Sequence, residues 1–419
     1  MVFVGFESLE IQEILSGLIP IMFSFLFVLY VSYKKPYLSK FFLLAFFVKF
    51  VLLIINFFIY TLPDSGEGSD VVRFLEFSIN ASSDGFSSLF SSFPGISSSF
   101  FHAWIAAFFY ILLGESAFLF GSLSFLFSMV SLYFFWLLYS EIWKGDASVN
   151  TFFIAIFLPS LALYSVIPRY EAFMWSFILI GFLGVYKWFN YNSLKGFLLA
   201  SVGLLIAGMF HSPFFLAYIV FIGIIAVKKL YEFLLGVQNN KLFVSGFVFA
   251  AVFFTIVGWF IFGGLYIPKI GTFESLMFSE NIDNAKLLGA ASLRGTANYP
   301  AWTAPSSIVD YLWKPIVRGV YFLFSPFPWD IKSAGHLIGL IDAFIYIYIS
   351  YKVWCNRLFL LKNEGTRNII IIIILLAMVY GLGVGNFGTG IRHRTKFLLV
   401  LLALAGPLLV KRKYFTIKN

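Results

Sequence analysis

Long apolar runs are the feature that most limits what this chain can fold into. Crossing the hydrocarbon core of a membrane takes about 20 helical residues, and several runs reach that length. The runs are continuously apolar rather than alternating, which excludes a transmembrane β-barrel. Charged residues make up 12% of the 419 residues, against about 25% in soluble domains, which excludes a water-exposed globule. The sequence therefore predicts a polytopic all-α transmembrane helical bundle, with residues 1–419 forming a single integral membrane domain.

The chain is expected to cross the membrane about eleven times. Two further apolar stretches, 98–113 and 315–327, are short and interrupted by serine or proline. We expect one or both of them to lie in the membrane interface as non-crossing helices. The candidate spans are residues 14–33, 41–62, 117–139, 151–167, 172–189, 196–212, 213–227, 242–266, 334–351, 368–386 and 396–410.

Basic residues orient these spans, because Lys and Arg collect in cytoplasmic loops. Lys34, Lys35 and Lys40 place the first connection inside, which puts the N-terminus outside and the C-terminus inside. The same bias accounts for the net charge of +9, so no nucleic-acid partner is expected. Further basic groups that fall inside under this threading occur at 228–229, 352–367 and 411–413.

Three exterior loops result, at about 63–116, 267–333 and 385–396. Their ionisable residues are the candidates for chemistry, because charges near a membrane are costly and usually functional. The single cysteine, Cys355, excludes a disulfide framework and a multi-cysteine metal site.

Two exterior segments carry candidate catalytic carboxylates. Asp70 and Arg73 lie three residues apart, so on a short helix they share a face. Arg169 and Glu171 lie at a tight connection between two spans. A carboxylate beside the membrane serves as a general base or as a ligand of a divalent metal. The alternatives are a weak surface pair at Asp70 and a structural Arg169–Glu171 pair at the turn.

The third exterior segment is basic, against the positive-inside bias. It contains Arg392, His393, Arg394 and Lys396 after a glycine-rich approach. Arginine suits phosphate through its bidentate fork, and backbone N–H groups of the glycine-rich stretch favour the same anion. We therefore expect these residues to bind a lipid phosphate or pyrophosphate. The alternatives are pairing with Glu171 or Asp70, or a cytoplasmic position for the whole loop.

The order of these features resembles the GT-C membrane glycosyltransferases, especially the protein O-mannosyltransferase and aminoarabinose-transferase branch. The resemblance covers about residues 1–230 and rests on three segments: Asp70-x-x-Arg-Phe74, the apolar stretch from Phe101 to Ser116, and a span ending in Pro168-Arg-Tyr-Glu171. The resemblance implies that Asp70 and Glu171 lie at the active site, with Arg73 and Phe74 beside Asp70. This chain departs from the family pattern at two points: its second acidic residue is Glu, and an extra N-terminal span precedes the first exterior loop.

The closing segment Gly388-Thr-Gly-Ile-Arg-His-Arg-Thr-Lys-Phe397 is similar instead to bacterial O-antigen and exopolysaccharide assembly proteins. Together the two resemblances imply a glycosyltransferase of the bacterial inner membrane with its active site facing the periplasm. Its donor would be a sugar or oligosaccharide on a polyprenyl-phosphate carrier, and its cofactor, if any, a divalent metal. Arg73, Arg169, Arg392 and Arg394 would then stabilise the phosphate leaving group, where negative charge grows in the transition state. The alternatives are an O-antigen polymerase that joins undecaprenyl-pyrophosphate-linked repeat units, and a flippase of lipid-linked sugars.

Overall fold

The computed structural model describes residues 10–66, 69–95, 98–144, 149–234, 297–305, 308–332 and 334–408. These ranges are helical, and they contain no strand beyond one isolated antiparallel bridge between Asn298 and Asn386. An all-α fold is therefore confirmed for the described residues. The expected span 242–266, about half of the loop 267–333 and the basic tail at 411–413 lie outside them.

The first part of the chain forms eleven helices before the first long gap in the described residues. They are α1 Ile11–Lys34, α2 Ser39–Ile54, α3 Asp70–Ser82, α4 Phe86–Ser91, α5 Phe101–Leu113, α6 Ala117–Trp143, α7 Val149–Phe157, α8 Pro159–Tyr164, α9 Tyr170–Tyr191, α10 Leu194–Phe210 and α11 Pro213–Leu234. A 3₁₀ turn, Pro36–Leu38, precedes α2, and a π-helical turn, Ile55–Ile59, follows it.

The described residues from 297 onward add five α-helices. They are α12 Lys314–Phe324, α13 Ala334–Cys355, α14 Arg357–Lys362, α15 Glu364–Gly383 and α16 Phe387–Ala405. The long helices α6, α9 and α16 pack on one another at the centre of the bundle, and most of the residues of α6, α9 and α16 are buried.

Six helices among the described residues are long and apolar enough to cross a membrane unaided. This supports a multi-pass membrane protein, while the expected count of about eleven spans is not confirmed. The six are Ile11–Lys34, Pro36–Ile59, Ala117–Trp143, Tyr170–Tyr191, Pro213–Glu232 and Glu364–Gly383.

The other expected spans are shorter or more polar for identifiable reasons. The span 151–167 is divided between α7 and α8, because Pro159 has no N–H to continue a helix. Helix α10 has 17 residues. Helix α13 carries a buried Asp342, and the first turns of α16 carry Arg392, Arg394 and Lys396.

The ionic contacts sort into two opposite ends of the bundle. At one end, Arg169 and Arg392 contact Asp70. At the other end, Lys228 contacts Glu364 at 2.6 Å, and Lys187 contacts Glu141 at 3.0 Å. Residues that the charge pattern assigned to the exterior therefore meet at one end, and Lys228 and Arg367, assigned to the interior, lie at the other.

Helix α5 begins and ends at the same end of the bundle. At its start, the His102 ring lies 5.7 Å from the Tyr170 ring at the beginning of α9. Just beyond its end, the Ser116 hydroxyl donates to the Glu13 carbonyl at the beginning of α1. Its 13 residues extend roughly 20 Å, too short to cross a hydrocarbon core of about 30 Å. This geometry suits a helix that does not cross.

Helices α9 and α10 approach so closely that only small residues fit between them. A Cβ atom at Gly203 would collide with the backbone of Gly181, and one at Gly184 would collide with the backbone of Ala200. Close backbone approach through small residues is how membrane helices gain packing energy, since lipid offers no hydrophobic drive for their association. This helical hairpin holds the start of α9, and therefore Arg169 and Glu171, in a fixed place.

Replacing Gly203 with Val is expected to destabilise the bundle by at least about 1–3 kcal/mol, because overpacking forces the two backbones apart. Thermal unfolding of the purified protein in detergent measures the loss. Val202→Leu, on the exposed side of the same helix, is the matched control and is expected to leave stability unchanged. Equal stability of both variants would contradict the close packing.

Candidate functional site

The candidate site begins with Asp70 in the first turn of α3. The Ser69 side chain caps this helix by accepting the Val71 N–H, and the helix N-terminus favours a negative charge. Asp70 Oδ2 accepts from Arg392 Nη1 at 3.0 Å and from Arg169 Nη1 at 3.3 Å. The Asp70 side chain is 48% exposed, so the site opens to its surroundings at this carboxylate.

Arg169 is held from behind by the loop that precedes α3. Its Nε and Nη2 donate to the Asp64 carbonyl at 3.3 and 3.2 Å. Asp64 adopts a left-handed backbone (φ 66°), which Asp tolerates better than most residues. The Tyr164 hydroxyl donates to Asp64 Oδ2 at 2.7 Å and fixes this turn. Arg169 is thus a buried, preorganised cation whose Nη1 faces Asp70.

Glu171 lies in the first turn of α9, behind Arg392, and its side chain is fully buried. Arg392 Nε is 3.5 Å from Glu171 Oε1, in a direction that makes no hydrogen bond. Neither Glu171 oxygen has a hydrogen-bond partner among the described residues. A buried carboxylate in that condition is costly, so its two oxygens are available to accept a hydrogen bond from a ligand.

The two arginines determine the protonation of Asp70. Partial burial raises the pKa of this carboxyl, but hydrogen bonds and charge attraction from Arg392 and Arg169 outweigh it, and the pKa is lowered overall. Asp70 therefore stays ionised at neutral pH. Its stabilising contribution is present above the usual pKa of an Asp and is lost only as the pH falls through the lowered value. Asp70 is better suited to holding the arginines than to accepting a proton.

A second basic cluster, formed by His393 and Lys396, follows Arg392 within one helical turn of α16. Lys396 Nζ is 2.7 Å from His393 Nδ1 and lies over the rings of Tyr170 and Tyr380. The Tyr380 hydroxyl is 3.0 Å from His211 Nδ1. Both His393 and Lys396 are buried. The predicted anion-binding residues Arg392, His393 and Lys396 are thus brought together.

Arg394, the remaining cation of the segment, lies elsewhere. Its Nη2 donates to Asp342 Oδ2 at 2.8 Å, and its Nη1 donates to the carbonyls of Leu323 and Ser325. Asp342 also accepts from the Ser160 hydroxyl at 2.8 Å. Because two residues along a helix correspond to about 200°, Arg394 points away from the face that carries Arg392. Its contacts are those of a buried structural ion pair.

Arg73 also lies apart from the network. It is exposed on α3 and makes no ion pair within the described ranges, whereas Asp70 turns to Arg169 and Arg392. The neighbouring Phe74 is buried, and its ring packs on Phe100 at 5.3 Å. Arg73, predicted to bind the donor phosphate, therefore lies outside the network in which Asp70 contacts Arg169 and Arg392.

Three contributors were not singled out from the sequence: Asp64, Tyr164 and Tyr380. His211 precedes Ser212-Pro213 at a helix junction, where a lone histidine is more often a hydrogen-bonded structural residue than a ligand. In the sequence, Asp64 is a polar residue after Leu-Pro, and Tyr164 is a tyrosine a few residues before Pro168. Neither pattern distinguishes a site residue from other residues of its type. The position of His211 at an exterior junction before Pro213 was the one usable signal.

The residues do not fit a divalent metal. The Arg392 guanidinium stands between Asp70 and Glu171, where a cation bridging the two carboxylates would have to bind. Across the described ranges no three His, Cys, Asp or Glu side chains group as metal ligands would. The arrangement instead pairs buried cations with carboxylates, which suits exchange with an anionic ligand.

Comparison with known proteins adds no relative: no protein-family model, curated protein or solved structure matches this chain. The resemblance to GT-C glycosyltransferases therefore rests on Asp70, Glu171 and the segments around them.

The Arg394–Asp342 pair is expected to be structural. Asp342→Asn or Arg394→Gln alone leaves an unpaired buried charge and should destabilise by about 3–5 kcal/mol. The double change to Leu at both positions should cost less than either single change, because no charge is then left alone. Thermal unfolding in detergent measures all three. Additive losses in the double variant would contradict a direct pairing.

Proposed function

We propose that this chain is a membrane glycosyltransferase that takes a sugar or oligosaccharide from a polyprenyl-phosphate carrier during bacterial surface polysaccharide synthesis. The observation that carries the proposal is the ionic network of Asp70, Arg169, Glu171 and Arg392. Its members come from three distant parts of the chain and meet at one end of the bundle. Transfer from a lipid phosphate needs a base and a stabiliser for the leaving phosphate, and the network contains both types of group.

Glu171 is the better candidate for the base. Its oxygens are buried and accept no hydrogen bond within the described ranges, so they are free to take the hydrogen of an acceptor hydroxyl. Asp70 is already engaged by Arg169 and Arg392, and its lowered pKa makes it a weak proton acceptor. Its proposed part is to hold the two guanidinium groups at the mouth of the site.

Arg392 couples donor binding to the base. It contacts both carboxylates, and with Arg169 it faces three carboxylates in all, counting Asp64. A donor phosphate that binds Arg392 competes with Asp70 for the Arg392 N–H groups, and its negative charge weakens the ionic contact between Arg392 and Glu171. As the bond between the sugar and the carrier phosphate breaks, negative charge grows on the phosphate, and Arg392 and Arg169 stabilise that charge.

A membrane location of the network suits a donor that carries a lipid tail. We place the network at the exterior end of the protein, facing the periplasm across the bacterial inner membrane, in agreement with the basic residues at the opposite end. The apolar surfaces of the spanning helices then face the lipid in which an isoprenoid tail lies.

The O-antigen polymerase remains the second candidate, and one observation favours it. Two further basic residues, His393 and Lys396, follow Arg392 within one helical turn. A cluster of this many basic groups suits a leaving group with two phosphates rather than one. Both candidates use the same site, and the product distinguishes them: a single added sugar for the transferase, a lengthened repeat chain for the polymerase.

Glu171→Gln is expected to reduce transfer at least about 100-fold, since a positioned base typically contributes about 10²–10⁴-fold. Asp70→Asn is expected to reduce transfer as well, because it removes the carboxylate charge that holds Arg169 and Arg392. Transfer from lipid-linked donor by the purified protein is the measurement. Glu76→Gln, an exposed carboxylate on the same helix as Asp70, is the matched control and should retain full activity. Full activity of Glu171→Gln would contradict the proposed base, and full activity of both site variants would contradict the proposed function.

The proposed orientation predicts which positions a membrane-impermeant thiol reagent reaches in spheroplasts. Cys355 lies at the end of the bundle opposite the network and should stay unlabelled until the membrane is permeabilised. A cysteine placed at the exposed Ser83, just after α3, should be labelled at once in a Cys355→Ser background. The reverse labelling pattern would contradict the periplasmic site.

A further inference from the structure

A groove lies at the end of the bundle that is far from the ionic network. It has a volume of about 810 Å³ and runs between α11 and α15, with Phe189 of α9 at its floor. That volume falls within the roughly 300–1,000 Å³ typical of small-molecule sites. The wall is almost entirely apolar, and its residues include Ile219, Val220, Ile224, Ile371 and Leu375.

The end of this groove carries charges. Glu364 accepts from Lys228 at 2.6 Å, and its second oxygen is 3.6 Å from Arg367. Glu232 is likewise engaged, by Lys229 at 2.7 Å. Lys228, Arg367 and both carboxylates line the groove, and Lys229 contacts Glu232 from outside this lining. The closest contacts of both carboxylates are to the lysines.

Arg367 is the cation least engaged by this arrangement. Its contact with Glu364 is the longest of the three, and its side chain is 43% exposed. The side chains of Arg367 and Asn368 both line the groove, so two adjacent donors face its charged end. With Lys229 counted, the charged end of the groove has one net positive charge, and Arg367 is able to bind a phosphate through its fork.

We propose that this groove binds one anionic glycerophospholipid. Its phosphate would sit against Arg367 and its acyl chain against the apolar wall. Helices α11 and α15 are both among the six helices that are long and apolar enough to cross a membrane, so a membrane lipid is the ligand that suits a groove between them. One phosphodiester charge matches the single excess positive charge. Basic pockets between membrane helices at the cytoplasmic side are suited to such head groups. The site is separate from the proposed transfer reaction.

Native mass spectrometry of the full chain in detergent tests this with two probes, dioleoyl-phosphatidylglycerol and dioleoyl-phosphatidylethanolamine. The protein is expected to retain one phosphatidylglycerol at about five- to tenfold lower lipid concentration than phosphatidylethanolamine, which has the same phosphate but no net charge. Arg367→Gln should abolish this preference, and Arg367→Lys should keep most of it. Val227→Trp, at the exposed mouth of the groove, should weaken retention of both lipids.

Lys195→Gln is the matched control, because Lys195 is an exposed cation at the same end of the bundle that does not line the groove. It should leave retention of both lipids unchanged. Equal retention of the two lipids by the unaltered protein would overturn the proposal. So would an equal loss in Lys195→Gln and Arg367→Gln, which would show attraction to surface charge in general. Unchanged retention in Val227→Trp would show that the groove is not the binding site.

Discussion

An ionised side chain inside a bilayer needs an opposite charge or several carbonyl groups beside it, because no water is present to solvate it. The interior of this bundle is organised around that requirement. Arg394 binds Asp342 and two carbonyls, and Arg318 binds the carbonyls of Gly381 and Val384. These bonds tie α12, α13, α15 and α16 together. The apolar packing of the remaining helices fills the space around these fixed polar connections.

The same requirement makes the candidate site difficult to interpret from local patterns. Arg392 satisfies Asp70 and approaches Glu171, as a purely structural ion pair would. What distinguishes the site from the Arg394–Asp342 pair is incomplete satisfaction. Asp342 accepts hydrogen bonds at both oxygens, whereas Glu171 accepts none among the described residues. A carboxylate that the fold positions but does not saturate is suited to bind something from outside the fold.

The sequence was sufficient for the class of fold and for the grouping of the main charged residues. Apolar runs of spanning length predicted an all-α membrane protein, and the positive-inside bias placed Asp70, Arg169, Glu171 and Arg392 on one side, where the structure joins them. Side-chain direction could not be predicted in the same way. Arg392 and Arg394 are two residues apart and equally basic, and only the path of α16 decides that one faces the site and the other faces Asp342.

The count of crossings is not confirmed for a related reason. Apolar length predicts that a segment enters the membrane, but Pro159 divides one such segment, and charged residues reduce the hydropathy of α13 and α16. Contacts between distant segments compensate for these local defects. Such compensation depends on tertiary packing, which a single sequence does not reveal.

The unsaturated Glu171 has a consequence for the protein as a whole. Burying a carboxylate without hydrogen bonds subtracts from the free energy of folding, so the bundle is less stable without a ligand than its packing alone would allow. A bound hydroxyl would recover that loss, and ligand would therefore act as a stabiliser of the entire fold. The residue proposed as the base is therefore also one that selection for stability alone would remove.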